Sequence, residues 1–165
     1  MSRARLLLHL AALIAPLGAA CLWDLVMYRV NDGFALNQFA IFGGLGALAA
    51  EISAALRWPA LERRAREGGG AWLTGLGMAV LTHVLFGVLF VGAIVIALGG
   101  WRAAAGTGSP FDLVLQAAFF FVMSLSAVGV VTFPATACLA HALARLRRRE
   151  LGLADADAHA SGGAR

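Results

Sequence analysis

Two long runs without a charged residue constrain the fold of this chain more than any other feature. No residue from Gly68 to Trp101 is charged, and none from Leu113 to Ala144 is. A helix crosses the hydrocarbon core of a bilayer with about 20 mainly apolar residues, so each run can span a membrane. Backbone groups in lipid must be satisfied within the segment, and the alternating pattern of a barrel strand is absent, so the runs are predicted to be helices.

Two further apolar segments extend the prediction to four spans. The predicted spans are 6–28, 36–56, 72–99 and 112–143. The chain of 165 residues is 61% hydrophobic and 13% charged, whereas a soluble domain is typically about 25% charged and buries only part of its surface. We therefore predict an all-α integral membrane protein, an antiparallel up-down bundle of four transmembrane helices in a single domain over 1–153. A disordered cytoplasmic tail is predicted over 154–165.

The arginines predict the orientation of the bundle. All 13 basic residues are Arg, and the N-terminus, the three loops and the tail hold 2, 1, 4, 1 and 5 of them. Because cytoplasmic segments are enriched in basic residues, both termini are predicted to be cytoplasmic, with 30–34 and 102–110 outside. The tryptophans fall near predicted helix ends, as interfacial aromatics do. They are Trp23, Trp58, Trp72 and Trp101.

The same composition indicates where the protein resides. Arg without Lys, together with abundant Ala and Gly, is typical of a bacterial chain, so the predicted location is the bacterial inner (cytoplasmic) membrane, as a multi-pass protein. The basic clusters flank apolar segments, which favours a role in topology over nucleic-acid binding. The predicted partners are the lipid bilayer and either other membrane proteins or further copies of the chain, and not nucleic acid.

The first span admits a second interpretation. Residues 1–5 are basic, an apolar stretch follows, and residues 18–21 (Gly, Ala, Ala, Cys) are similar to a lipoprotein cleavage box. The apolar run continues to Met27, however, whereas the apolar region of a signal normally ends at its cleavage site. A retained helix is therefore the favoured prediction, and cleavage before Cys21 stays open as the alternative.

The second loop and the end of the fourth span carry finer predictions. Pro59 suits the first position of a short surface helix that Gly68 would end. This segment is either a solvated loop, which is favoured, or a patch that binds anionic head groups. The fourth span is longer than a bilayer requires, so the helix is predicted to leave the membrane between Pro134 and Leu143 and to continue as the arginine-rich stretch.

Ionisable residues inside a span are the candidate functional residues, because they are costly in lipid. Glu51 lies six residues before Arg57, about 9 Å into the helix at roughly 1.5 Å per residue. His9 has a similar predicted depth on the first helix and is the expected partner of Glu51. Glu51 is interpreted either as a structural or snorkelling side chain or as a proton or cation relay.

His83 is the histidine nearest the middle of a span. Ser124 and Ser126 have comparable predicted depth on the fourth helix, so a hydrogen bond to a Ser or Thr there is the favoured role. Gly75, Ala79 and Gly87 share its face at steps of four residues, which would leave a narrow space that suits a planar haem. A second His at matching depth is missing and Met123 is a weak ligand, so no cofactor is predicted, and haem at His83 remains a lesser alternative.

Small residues on the second helix predict close helix packing. Gly43 with Ala47, and Gly46 with Ala50, are small residues four positions apart. Such pairs let membrane helices approach closely, where packing replaces the missing hydrophobic drive. The face is predicted to pack inside the bundle, with an oligomer contact as the alternative.

The motifs of common enzyme sites are absent from the sequence. There is no glycine-rich phosphate loop, HExxH, CxxC or nucleophile elbow. The leading functional hypothesis is therefore a non-enzymatic accessory, assembly or interaction subunit. One alternative is a small proton- or cation-coupled transporter or channel subunit that uses Glu51 and His83, and another is a haem- or quinone-binding redox helper.

Overall fold

The computed structural model describes the backbone of residues 1–31, 36–105 and 109–153, and all their side chains except those of 23, 24, 26–31 and 36–40. The elements are α1 (Arg3–Asn31), α2 (Leu36–Glu67), α3 (Trp72–Ala97), α4 (Trp101–Ala104) and α5 (Pro110–Glu150). These ranges contain no strand, so the all-α prediction is confirmed for them. The predicted tail over 154–165 lies outside the described residues.

Three of the helices are long and apolar enough to cross a membrane. They are α1 over Arg3–Leu22, α3, and α5. α2 is not among them, since Glu51 and Arg57 interrupt its described apolar stretch. The helical membrane-protein class is therefore supported by three candidate spans rather than the four that the sequence predicts.

Large apolar side chains lie on the outside of the helices and small ones lie between them. Among the described residues, 12 of the 18 buried hydrophobic residues are alanine. Leu73 and Val130 are 77% and 85% exposed. A water-soluble bundle would bury its large aliphatic side chains. Small residues at helix contacts and large ones outside are the distribution that packing in lipid favours.

Helices that follow one another along the chain pack against each other. α1 packs on α2, α2 on α3, and α3 most extensively on α5. The largest core cluster joins the start of α1, the second half of α2, the start of α3 and the end of α5. The backbone N–H of Ala4 donates to Glu150 Oε1 at 3.1 Å, so the beginning of α1 lies next to the end of α5.

Local sequence explains where α3 ends and where α5 begins. Gly99 has φ of +75°, a left-handed conformation that ends α3 at low steric cost. Ser109 caps α5 by accepting the N–H of Phe111 at 3.2 Å, and Pro110 occupies the first turn, where its missing N–H costs little.

The prediction of a separate surface helix in the second loop is wrong. α2 continues through Pro59 to Glu67 without a break. A proline inside a helix forfeits one backbone hydrogen bond, but the continuation buries Trp58, Leu61 and Ala65 in the core. The short helix α4 is an element that the sequence did not predict. α5, in contrast, extends into the arginine-rich stretch as expected.

The tryptophans divide into two kinds. Trp72 and Trp101 are 46% and 40% exposed at helix starts, where an interfacial ring would lie. Trp58 is only 6% exposed and belongs to the core, and it lies inside α2 rather than at a helix end as predicted. The guanidinium carbon of Arg5 lies 5.9 Å from the Trp58 ring centroid, a cation–π contact that links α1 to α2. The Trp23 side chain lies outside the described residues.

Candidate functional site

The structure brings His9 and Glu51 together between α1 and α2. His9 Nδ1 lies 2.6 Å from Glu51 Oε2. The His9 side chain is 25% exposed and the Glu51 side chain is 29% exposed, so the pair is partly buried. In lipid such a pair joins two helices, because neither partner is stable there alone.

Small residues set the distance between the same two helices. A Cβ added at Gly43 would lie 2.7 Å from Ala20 Cβ, and one at Gly46 would lie 3.2 Å from Pro16 Cβ. Ala47 is buried and Ala50 is half-buried on the same helix. The structure thus places the predicted packing face of α2 against α1, inside the chain.

His83 lies between α3 and α5 and is only 4% exposed. Its Nδ1 is 2.7 Å from Ser124 Oγ, and its Nε2 is 2.9 Å from Thr132 Oγ1. One ring nitrogen donates and the other accepts when the ring is neutral, and hydroxyls can complement either role. The ring also stacks on Phe133, with centroids 5.9 Å apart. Ser126, the other candidate, is exposed.

Close backbone contacts flank His83 on α3. A Cβ at Gly75 would lie 2.5 Å from the Thr136 carbonyl oxygen. One at Gly87 would overlap the carbonyl oxygen of Ala117. The narrow face anticipated around His83 is therefore filled by α5 itself, and the arrangement does not favour a planar cofactor there.

The ligand chemistry for haem is also unfavourable. Because both ring nitrogens of His83 contact hydroxyls, an iron ligand would have to displace one of them. The alternative ligand Met123 has 52% of its surface exposed, which does not suit pairing with the buried His83 ring.

Glu51 and His83 belong to different interfaces. Glu51 contacts α1, whereas His83 contacts α5. Between them, Ser53 Oγ donates to the Met78 carbonyl at 2.8 Å, and Thr82 Oγ1 donates to the same carbonyl at 2.9 Å. Among the described side chains, no continuous hydrogen-bonded path leads from the His9–Glu51 pair to His83.

A charged network joins the end of α2 to the end of α5. Arg147 Nη2 donates to Glu62 Oε1 at 2.6 Å, and Arg147 Nη1 donates to Glu150 Oε2 at 3.2 Å. The local pair of Glu62 with Arg66 is longer, at 3.4 Å. The pairing with Arg147 is between residues 85 positions apart, so spacing along one helix could not reveal it.

Arg147 changes the titration of Glu62. Its hydrogen bond, together with its positive charge, lowers the pKa of the Glu62 carboxyl, against a smaller effect of burial. A lowered folded-state pKa means that the stabilisation is present above the ordinary value of 4.5 and is lost as pH falls through the lowered pKa. The link between α2 and α5 is therefore fully formed at neutral pH.

Comparison with models of protein families, with curated proteins and with solved structures finds no match to this chain.

Proposed function

We propose that this chain is a four-span protein of the bacterial inner membrane that acts as a non-enzymatic accessory, assembly or interaction subunit. One observation carries the proposal: the candidate polar side chains His9, Glu51 and His83 contact neighbouring helices. His9 contacts Glu51 and His83 contacts Ser124, and Ser53 contacts the α3 backbone. Side chains used in this way fix the helices and are not free to act on a substrate.

The path of the chain supports a fourth span. α1 and α3 each start beside the core cluster, and α5 ends there. If α1 leads away from this end and α3 starts at it again, α2 has to return the chain along the length of the bundle. α2 is 32 residues long, about 48 Å at roughly 1.5 Å per residue, which exceeds the hydrocarbon thickness of about 30 Å.

The contacts of α1 support a retained first helix. Ala4 and Leu8 lie in the core cluster, and Gly46 packs on Pro16. Cleavage before Cys21 would remove these contacts and leave Glu51 without His9. A chain that kept its first helix would keep both the core and the polar pair.

The proposed orientation predicts which engineered cysteines react from outside the cell. In a background with Cys21→Ser and Cys138→Ser, Ala103→Cys should be labelled by a membrane-impermeant maleimide in intact cells, because the α3–α5 connection is outside. Gly69→Cys should be labelled only after permeabilisation, because the α2–α3 connection is cytoplasmic. Both sites are exposed in the structure, so lack of access through burial cannot explain a difference. Labelling of Gly69→Cys alone in intact cells contradicts the orientation.

The subunit role predicts that the chain does not occur alone in its membrane. Native membranes solubilised in a mild detergent and separated by native electrophoresis should contain it in an assembly well above its 17.1 kDa plus detergent. A tagged chain should co-purify with a stoichiometric second protein. Migration as a single copy, together with proton or cation flux in proteoliposomes of the purified chain, contradicts this role.

The transporter alternative rests on the partial exposure of the His9–Glu51 pair. About a quarter of each side chain remains accessible, so solvent protons or a cation could reach the carboxylate. The transporter hypothesis requires Glu51 to exchange His9 for another partner during transport. The subunit hypothesis requires the His9–Glu51 pair to persist.

A further inference from the structure

A recess of about 110 Å³ lies where α2 ends, α3 begins and α5 passes both. Its lining includes Arg64, Gly68, His141, Arg145 and Arg148. The lining contains three arginines and no acidic residue. Its positive charge and its volume, which exceeds the roughly 10–15 Å³ that a cavity needs to hold one water molecule, suit a small anion.

The arginines of the recess are held in different ways. Arg148 Nη1 donates to the carbonyls of Ala65 and Arg66, each at 3.3 Å, which fixes its guanidinium at the end of α2. Arg64 pairs with Glu67 at 3.5 Å. Arg145 has no ion-pair partner within 1–31, 36–105 and 109–153. The site thus combines an anchored guanidinium with one that a ligand can recruit.

The turn between α2 and α3 brings the Gly68 backbone close to Arg148 and places the start of α3 beside the recess. Gly68 has φ of +71°, and a Cβ there would lie 2.8 Å from Arg148 Nη1. α3 begins directly after the turn, and its N-cap residue Ala71 supplies no side-chain cap to the first N–H groups. Uncapped N–H groups and the positive end of the helix dipole favour an anion.

His141 also lines the recess. Its ring stacks on Trp72, with centroids 4.6 Å apart. His141 Nδ1 is buried and has no hydrogen-bond partner among the described atoms. Trp72 is 46% exposed, so the recess opens beside an aromatic ring of the type found at membrane interfaces.

We propose that this recess binds the phosphate group of an anionic lipid headgroup. Guanidinium groups match phosphate oxygens in geometry and charge. Basic pockets between membrane helices on the cytoplasmic side are the sites where anionic headgroups bind. The inference that the phosphate belongs to a lipid rests on the proposed four-span topology. The inference that the recess binds phosphate rests on the residues of the recess alone.

The test is native mass spectrometry of the full-length protein in mild detergent with equal amounts of dioleoyl-phosphatidylglycerol and dioleoyl-phosphatidylcholine. The unmodified chain should retain one phosphatidylglycerol in preference. Arg145→Gln should reduce that retention about tenfold, the effect of losing one hydrogen bond between charged partners. Arg149→Gln is the matched control, because Arg149 is exposed one turn further along α5 and does not line the recess.

Three results would overturn the proposal. Equal losses in the two variants would mean that general charge attracts the lipid, and equal retention of both lipids would mean that the anionic headgroup is not recognised. Displacement of the lipid by an equimolar amount of inorganic phosphate would identify a soluble phosphate as the ligand. If cysteine labelling contradicted the topology while Arg145→Gln still reduced the retention of phosphatidylglycerol and Arg149→Gln did not, the proposed topology would fail and the binding site would stand.

Discussion

Leucine in place of Gly87 should separate α3 from α5, whereas leucine in place of Gly92 on the same helix should be tolerated. At Gly87 even a Cβ would overlap the backbone carbonyl of Ala117, and a backbone can yield only if the helix moves. At Gly92 nothing lies within 4 Å. Overpacking typically costs about 1–3 kcal/mol, and the cost here should lie at or above the top of that range.

Thermal unfolding in detergent, followed by the loss of the monodisperse peak in size-exclusion chromatography, measures the difference. Gly87→Leu should lower the Tm by roughly 10 °C, at about 2–4 °C per kcal/mol for a chain of this size. Alanine gives a second comparison, because Gly92→Ala should be neutral or stabilising through helix propensity, while Gly87→Ala should already destabilise. Equal Tm values for Gly87→Leu and Gly92→Leu would mean that α3 and α5 do not pack through this face.

The helix segments could be predicted from sequence because charge and apolar length fix them. The span predicted at 72–99 corresponds to α3, Trp72–Ala97, since a charge-free run is bounded by glycines on both sides. The end of α2 could not be predicted in the same way. Pro59 and the arginines indicate a boundary locally, and only the burial of Trp58 and Leu61 against other helices keeps α2 continuous.

For the partners of the candidate residues, only the depth along a membrane span could be predicted from the sequence. Depth along a span follows from counting residues, which is sufficient to predict that His9 lies level with Glu51 and His83 with Ser124. Which side of a helix faces a neighbour is harder to predict, because lipid-facing and buried positions are both apolar and the usual amphipathic pattern is weak. Two contacts depend on how each helix is rotated about its own axis. They are the contact of His83 with Thr132 and the contact of Glu62 with Arg147.

Substitutions at Glu51 and His9 distinguish the structural hypothesis from the relay hypothesis. If the pair with His9 holds α1 to α2, removal of either partner leaves an uncompensated polar or charged group in the membrane. His9→Leu and Glu51→Leu should then each destabilise the protein, by about 1–3 kcal/mol after allowance for the exposed part of the pair. The double variant should be more stable than the sum of the single losses predicts, because both unpaired groups are gone.

Glu51→Gln adds the functional part of this experiment, since it keeps the size of the side chain and removes its charge. In the structural hypothesis the variant has a lower Tm in detergent and a smaller fraction in the native assembly, and His9→Leu produces the same defect. In the relay hypothesis Glu51→Gln assembles with an unchanged Tm and loses pH-dependent proton or cation flux in proteoliposomes. Additive losses in the Leu double variant, with normal assembly and no flux in either protein, would leave the 2.6 Å contact without either role.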